Sequence, residues 1–346
     1  MVDAAFEVVP IWMKRRAQLC SLLPGAAVLL ANGKLRYRNL EAFPYLFRGS
    51  SHFLHFCGKQ APGAYLLIRN NETTLFLEDV PPDDLLWHGT RPGRDEIRVS
   101  TGVDQVRFVA ELPSILKQVD RKSLYVLPTA DPASNRELAE LIGRALDPLG
   151  VDSPLVDAIV TCRLVNDDFA KREFRAAAAV TVKAFQAGMT STKPGRRESE
   201  VVAVLEREFA AAGCESAYQS ICSVHGEVLH NHSYENMITA DEMLLVDAGA
   251  ESRGGYASDV TRTWPVSGRF SRTQRDLYAV VLAAQKKAAA LVRPGTRYRD
   301  IHLAACRVIA EGLVSLGLLE GEVDSLVERG AHALFFPHGV GHLMGL

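Results

Sequence analysis

The sequence predicts an α/β (α+β) protein with two domains, and three observations support this prediction. The chain has 346 residues, about twice the length of a common domain. Hydrophobic residues make up 47% of it and charged residues 23%, a balance typical of chains that bury a core rather than remain disordered. Segments with the period of strands alternate with segments of helical period. We therefore expect two folded units, each combining helices and sheet.

The first half of the chain contains short periodic segments separated by turn residues. Pro24 and Gly25 follow the first of them, and this pair is typical of a turn. Asn70 and Asn71 separate two β-rich runs, which indicates a hairpin. The pattern predicts strands over residues 26–31, 64–69, 73–78 and 124–127, and helices over residues 14–23, 106–119 and 134–146.

A cluster of proline and glycine at residues 148–154 predicts a domain boundary. We place the first domain over residues 1–153 and the second over residues 154–346. Near the start of one predicted helix in the second domain lie Glu198 and Glu200, where the helix dipole favours negative charge. The pattern in this domain predicts helices over residues 167–187, 199–212, 272–292 and 299–316, and strands over residues 218–224, 243–250 and 256–264.

Charge and cysteine content exclude several classes of protein. The chain has 39 basic and 41 acidic residues, so no bulk attraction to nucleic acid or to an anionic membrane is expected. The six cysteines form no C-x-x-C pair, which indicates reduced thiols rather than a zinc knuckle or a disulfide framework. The first residues do not resemble a secretory signal, and no stretch has the roughly 20 apolar residues of a membrane span. We therefore expect a cytoplasmic protein.

Two aspartates lie on successive predicted strands. Asp247 ends the apolar run MLLVD, and the small residues Ala248 and Gly249 follow it. Asp259 lies on the next strand, after a glycine turn at residues 252–255. If these strands pair across the turn, both carboxylates face one pocket. Two close anions need a shared proton or a cation, so the pattern allows either a metal site or two unrelated aspartates at strand ends.

Histidines occur in two further clusters. His338 and His342 enclose Gly-Val-Gly, and an H-x-x-x-H pair on a helix would place both imidazoles on one face. Each glycine disfavours a helix by about 1 kcal/mol relative to alanine, so we predict an extended or turning backbone there. His230 and His232 form the second cluster, after residues 227–229. Each of these histidines, taken singly, is also compatible with a structural role.

Three segments together resemble the motif series of the aminopeptidase P and prolidase branch of the pita-bread metallopeptidases. They are VDAG at residues 246–249, SDVTRTWP at residues 258–265 and HGVGHLMGL at residues 338–346. Arg15, Arg16 and the stretch 45–56 resemble the small N-terminal domain of that branch, which methionine aminopeptidases lack. The resemblance implies a small N-terminal α/β domain followed by a pita-bread catalytic domain.

The resemblance also implies roles for five residues. Asp247 corresponds to a ligand of one metal ion, Asp259 to the carboxylate that bridges two ions, and His342 to the imidazole ligand. His230 and His338 correspond to catalytic histidines that contact the substrate or stabilise the tetrahedral intermediate. Carboxylates with one imidazole suit Mn²⁺, with Co²⁺, Fe²⁺ or Zn²⁺ as substitutes. Two such ions activate water and polarise the scissile carbonyl.

Two features depart from the family pattern. Asp247 and Asp259 are twelve positions apart, one more than is usual, and we place the extra residue at the turn of Gly254 and Gly255, which can absorb it. The family also uses two glutamate ligands after the His-Gly-Val-Gly-His segment, whereas the sequence ends at Leu346. We therefore expect the complete enzyme to extend beyond this residue, with the last part of its catalytic domain.

The function that the resemblance implies is hydrolysis of the Xaa-Pro bond at the N-terminus of small peptides by a dinuclear metal centre. A long segment at residues 229–236 could close the pocket, which favours an Xaa-Pro dipeptidase. The alternatives are an aminopeptidase P that acts on longer Xaa-Pro-Yaa peptides and a non-catalytic pita-bread binding protein. Metal-free hydrolysis of the creatinase type is disfavoured by Asp247 and Asp259. We also expect a homodimer.

Overall fold

A mixed five-stranded sheet organises the first part of the chain. The computed structural model describes residues 2–81 and 83–346, with side chains from residue 9 onward. The strands of this sheet are β1 (Ala27–Ala31), β2 (Tyr65–Arg69), β3 (Glu72–Leu77), β4 (Gln105–Phe108) and β5 (Leu124–Val126). Their order is β4-β3-β2-β1-β5, with antiparallel pairing in the β1–β2 and β2–β3 pairs and parallel pairing at both edges.

Strand β1 lies inside the sheet and is buried on both faces. Val28 and Leu30 pack into one apolar cluster, whereas Ala27, Leu29 and Ala31 pack into a second. The alternation follows from the two-residue period of a strand. The helices in this part of the chain are α1 (Val2–Leu22), α2 (Ser51–Cys57), α3 (Asp84–His88), α4 (Arg94–Thr101), α5 (Leu112–Leu116), α6 (Pro132–Ile142) and α7 (Ser153–Arg163), and all except α3 contribute buried residues.

Most predicted elements of the first half are confirmed, including the hairpin of β2 and β3. Asn70 and Asn71 adopt φ of 52° and 63°, the left-handed conformation that asparagine tolerates in a tight turn. The helix predicted over residues 106–119 is wrong in its first part. Residues 105–108 form β4 because they pair with β3, and only Leu112–Leu116 is α-helical. Pairing between strands has overridden the local helical pattern.

A three-stranded antiparallel sheet organises the second part of the chain. Its order is β10-β8-β7, and a separate two-stranded sheet pairs β6 with β9. The strands are β6 (Glu215–Ser216), β7 (Ile221–Ser223), β8 (Met243–Ala248), β9 (Ala250–Glu251) and β10 (Val260–Pro265). The helices are α8 (Asp168–Ser191), α9 (Glu198–Ala211), α10 (Arg272–Leu291), α11 (Tyr298–Ser315) and α12 (Val323–Glu328). The predicted strand over residues 218–224 is confirmed only at residues 221–223.

Strand β8 separates a core face from a face that is partly open. Leu244, Val246 and Ala248 are buried against α8 and α9, in a cluster that includes Phe185 and Leu205. The intervening residues, among them Asp247, are only partly buried and point to the other face. A second apolar cluster joins α10 to α11. No helix in the described ranges is both long and apolar enough to cross a membrane.

Helix α7 packs into the first core although it begins at the predicted domain boundary. Leu155 and Ile159 share the apolar cluster of α1, α2 and the first sheet. The boundary between residues 153 and 154 stays a prediction.

Arg15 on α1 connects the two parts of the chain. Its guanidinium donates to Asp167 Oδ2 at 2.8 Å, to the His55 carbonyl at 3.0 Å and to the Tyr256 hydroxyl at 2.9 Å. Asp167 caps the start of α8, and Tyr256 precedes β10. One buried side chain therefore fixes α1 and α2 against the elements that carry the second sheet.

We expect Arg15→Met to lower the free energy of unfolding by about 3 kcal/mol, because several hydrogen bonds of a buried charged donor are lost while the side-chain volume is kept. Urea unfolding followed by circular dichroism measures the change. Lys14→Met on the same helix is the control, since Lys14 is exposed and a surface change of this kind stays within about 0.5 kcal/mol. Equal stability of the two variants would contradict this role of Arg15.

Candidate metal centre

Strand β8 and the residue that precedes β10 bring two carboxylates to the same side of the sheet. The strands pair antiparallel, as predicted, with Asp247 opposite Thr261. Asp259 lies two positions before Thr261, so its side chain has the same orientation. The pairing places Asp247 and Asp259 diagonally across neighbouring strands.

Gly249 permits the close approach of the two chain segments at this point. A Cβ atom at Gly249 would overlap the carbonyl oxygen of Ser258. The buried Ser258 hydroxyl lies 2.7 Å from the Thr181 hydroxyl on α8 and 3.0 Å from the Ala250 amide. These contacts fix the two chain segments to α8. This arrangement holds the residue before Asp259 in place.

The phenol of Tyr218 lies between the two carboxylates. Its hydroxyl oxygen is 2.6 Å from Asp247 Oδ1 and 3.0 Å from Asp259 Oδ1, and the hydroxyl donates to this carboxylate pair. Burial, together with the two anionic neighbours, raises the pKa of Tyr218, so the hydroxyl remains a donor at neutral pH. Tyr218 is not among the site residues predicted from the sequence, although it begins the strand predicted at residues 218–224.

His342 approaches the same carboxylates from a segment without regular structure. Its Nε2 lies 3.0 Å from Asp259 Oδ2. Residues 338–346 form neither helix nor strand, which confirms the prediction made from the glycines. The Leu343 carbonyl accepts a hydrogen bond from Nδ1 of His342 at 2.9 Å, and this bond and the Asp259 carboxylate raise the pKa of His342.

The two remaining predicted site residues lie apart from this group. Both His230 and His338 are exposed, and within the described ranges neither has a hydrogen bond to Asp247 or Asp259. The His230 ring stacks on His232 with a centroid distance of 6.3 Å. The catalytic roles of His230 and His338 stay predictions.

The donor atoms of this group suit a hard or borderline divalent cation. Two carboxylates converge on one hydroxyl, and such a pair of like charges is costly without a cation. Oδ2 of Asp247 has no hydrogen-bond partner in the part of the chain that the structure describes, so it is free to coordinate. Carboxylate oxygen with one imidazole nitrogen is a ligand set typical of Mn²⁺ and its substitutes.

Comparisons with known proteins agree with this architecture. A model of metallopeptidase family M24 matches residues 172–346, and a model of the aminopeptidase P N-terminal domain matches residues 12–126. The Xaa-Pro aminopeptidase of Haemophilus influenzae is 31% identical over 96% of this chain and 78% of its own length. The chain spans 60% of the length of the probable Xaa-Pro aminopeptidase of Metarhizium robertsii and 79% of the length of the Xaa-Pro aminopeptidase of Escherichia coli.

Solved structures show the same fold. The aminopeptidase PepP of Pseudomonas aeruginosa superposes with a TM-score of 0.86 at 31% identity, covering 96% of this chain and 79% of that one. Zinc-substituted aminopeptidase P of Escherichia coli, in complex with product, gives a TM-score of 0.85 at 27% identity, covering 97% and 80%. The predicted order, a small α/β domain followed by a pita-bread domain, is thereby confirmed. The chain belongs to metallopeptidase family M24, in its aminopeptidase P branch.

Proposed function

We propose that the protein hydrolyses the bond between an N-terminal residue and a following proline, with divalent metal held by Asp247, Asp259 and His342. The observation that carries this proposal is the convergence of the Asp247 and Asp259 carboxylates on Tyr218, with His342 in contact with one of them. Relatives that share both domains are named Xaa-Pro aminopeptidases, which supports the substrate class.

Asp259 is the central member of the proposed ligand set. One of its oxygens accepts from Tyr218 and the other contacts His342, so both oxygens lie among the proposed ligands. From the resemblance to the family, we propose that Asp259 would hold two ions and Asp247 one. We propose two divalent ions, with Mn²⁺ as the favoured species. Ions held there would supply a nucleophile from water at neutral pH and polarise the scissile carbonyl.

Three side chains around the proposed ligands, Tyr218, His338 and His230, have different proposed roles. Tyr218 orients both carboxylates through its hydroxyl, which fixes their oxygens before any substrate arrives. His338 precedes His342 on the same irregular segment, where we propose that it donates a hydrogen bond to the developing oxyanion. His230 is proposed to contact the substrate. A cytoplasmic location and a homodimer stay predictions.

The length of the preferred peptide is the finer part of the proposal. The relatives are named aminopeptidases rather than dipeptidases, and this supports a preference for longer Xaa-Pro-Yaa peptides. The segment at residues 229–236, which contains exposed histidines and suggested a closed pocket, favours Xaa-Pro dipeptides instead. We propose the aminopeptidase activity and keep the dipeptidase activity as the second candidate.

We expect the full-length protein with Mn²⁺ to hydrolyse Xaa-Pro-Yaa tripeptides. Matched Xaa-Ala-Yaa peptides should be cleaved at least about tenfold more slowly, because each methylene group missing from a fitted apolar pocket costs about 1–3 kcal/mol of transition-state binding. Release of the N-terminal residue is followed by chromatography, with Xaa-Pro dipeptides assayed in parallel. Faster cleavage of the dipeptides would establish the second candidate. Equal cleavage of the proline and alanine peptides would contradict both.

A further inference from the structure

A second cluster of metal-binding side chains lies away from Asp247 and Asp259. His302 and Cys306 are four positions apart on α11, so they lie on one face of that helix. His332 comes from the short 3₁₀ helix Ala331–Leu334, which packs against α11. One possible ligand atom from each of the three residues lies within 4.8 Å of the other two.

The spacing within this cluster suits a tetrahedral ion. Cys306 Sγ is 3.4 Å from His302 Nε2. In a tetrahedral zinc site with Zn–S of about 2.3 Å and Zn–N of about 2.1 Å, the sulfur and nitrogen are about 3.6 Å apart. The helical pair therefore needs almost no movement to bind one ion, and a possible ligand atom of His332 lies within 4.8 Å of both.

An unpaired buried nitrogen gives a second and independent indication of a ligand. Cys306 is fully buried and His332 is only 8% exposed. Nδ1 of His332 has no hydrogen-bond partner among the described residues. Buried imidazole nitrogens are normally paired, so this atom requires an explanation that the packing alone does not provide.

We propose that His302, Cys306 and His332 bind a transition-metal ion, with Zn²⁺ as the best match, at a site separate from the catalytic ligands. A thiolate with two imidazoles is a borderline-soft ligand set that selects Zn²⁺ over Mn²⁺ or Mg²⁺. Binding forms one bond from sulfur and two from nitrogen to the ion, and the thiol proton leaves to solvent. The fourth position is left for water.

The position of this site gives it a structural task. The amide of Phe336 donates to the His332 carbonyl at 2.9 Å. The Phe336 ring packs against His302 with a centroid distance of 5.6 Å and against His338 with a centroid distance of 4.6 Å. An ion held by His302 and His332 would therefore fix the turn from His332 to Phe336, and the Phe336 ring contacts His338. The cluster acts as a positioning site and not as part of the reacting centre.

Cobalt provides a direct test, because a Co²⁺–thiolate bond gives a charge-transfer absorption band in the near ultraviolet that oxygen and nitrogen ligands do not give. We expect metal-free full-length protein, titrated with Co²⁺, to develop this band with a final amplitude that corresponds to one thiolate-bound ion, and Zn²⁺ to remove it by competition. Cys306→Ser is expected to abolish the band. Cys214→Ser, at a half-buried cysteine elsewhere in the chain, is expected to retain it.

Two further variants keep the test independent of folding and of the proposed catalytic function. Asp247→Asn is expected to keep the cobalt band, so a failure of the peptidase proposal leaves this result interpretable. His332→Gln is expected to weaken Co²⁺ binding by at least about tenfold, since even loss of a partner that only supports a metal ligand costs about 10- to 100-fold in affinity, while circular dichroism shows unchanged helix content. Absence of the band in the folded parent protein, or its persistence in Cys306→Ser, would overturn the proposal.

Discussion

Asp259→Ala is expected to reduce metal-dependent hydrolysis of Xaa-Pro peptides in the full-length protein by more than about 10³-fold. Asp259 is the only described side chain that contacts both Tyr218 and His342. Its removal therefore breaks the connection between His342 and the pair formed by Tyr218 and Asp247. Loss of charge stabilisation by metal is worth several kcal/mol, and each 1.36 kcal/mol corresponds to about a tenfold change in rate. Steady-state kinetics with saturating Mn²⁺ measure the effect.

The matched control is Asp95→Ala, because the carboxylate of Asp95 is 99% exposed on α4 and belongs to the first part of the chain. It should leave both activity and bound metal unchanged. Asp247→Ala should behave like Asp259→Ala. If Asp259→Ala kept most of its activity with two Mn²⁺ ions still bound, the assignment of the two aspartates would be wrong.

His338→Ala and His342→Ala are expected to differ in their effect on bound metal, although both should lower kcat. His342 contacts Asp259 and is proposed as a ligand, so its removal should lower both the metal content and kcat. His338 is proposed as a hydrogen-bond donor to the transition state, whose loss costs about 10²–10³ in kcat with metal retained. Elemental analysis and kinetics on the same preparations separate the two outcomes.

His225→Ala serves as the control for these two variants, since His225 is exposed and pairs with Glu227 rather than with the ligand set. Metal loss in His338→Ala without metal loss in His342→Ala would mean that the two roles are exchanged.

The parts of the site that were predictable from the sequence are those set by local backbone patterns. The apolar run before Asp247 and the glycine turn before Asp259 predict a hairpin, and β8 and β10 pair as expected. The glycines beside His338 and His342 predict a non-helical segment, which the structure confirms. In each case a short stretch of sequence determines the conformation, because turn residues and strand period act locally.

The parts that were missed depend on contacts between distant segments. Tyr218 lies 29 positions before Asp247, and its phenol reaches the carboxylates because β6 before it pairs with β9 and β7 after it pairs with β8. Likewise, His332 reaches Cys306 only because α12 and the 3₁₀ helix fold back onto α11. The pattern of residues 106–119 suits a helix, yet residues 106–108 pair with β3. No local sequence pattern encodes these contacts between distant segments.

Calorimetric titration of Mn²⁺ into the metal-free full-length protein, with Xaa-Pro-Yaa hydrolysis measured on samples from the same titration, tests the metal centre most directly. We expect saturation at two equivalents, with activity rising in parallel, since Mn²⁺ prefers the carboxylate ligands over the cluster of Cys306. Asp259→Ala should show neither the binding heat nor the activity. Full hydrolysis by the chelator-treated protein before any Mn²⁺ is added would contradict a metal-dependent peptidase centred on Asp247, Asp259 and His342.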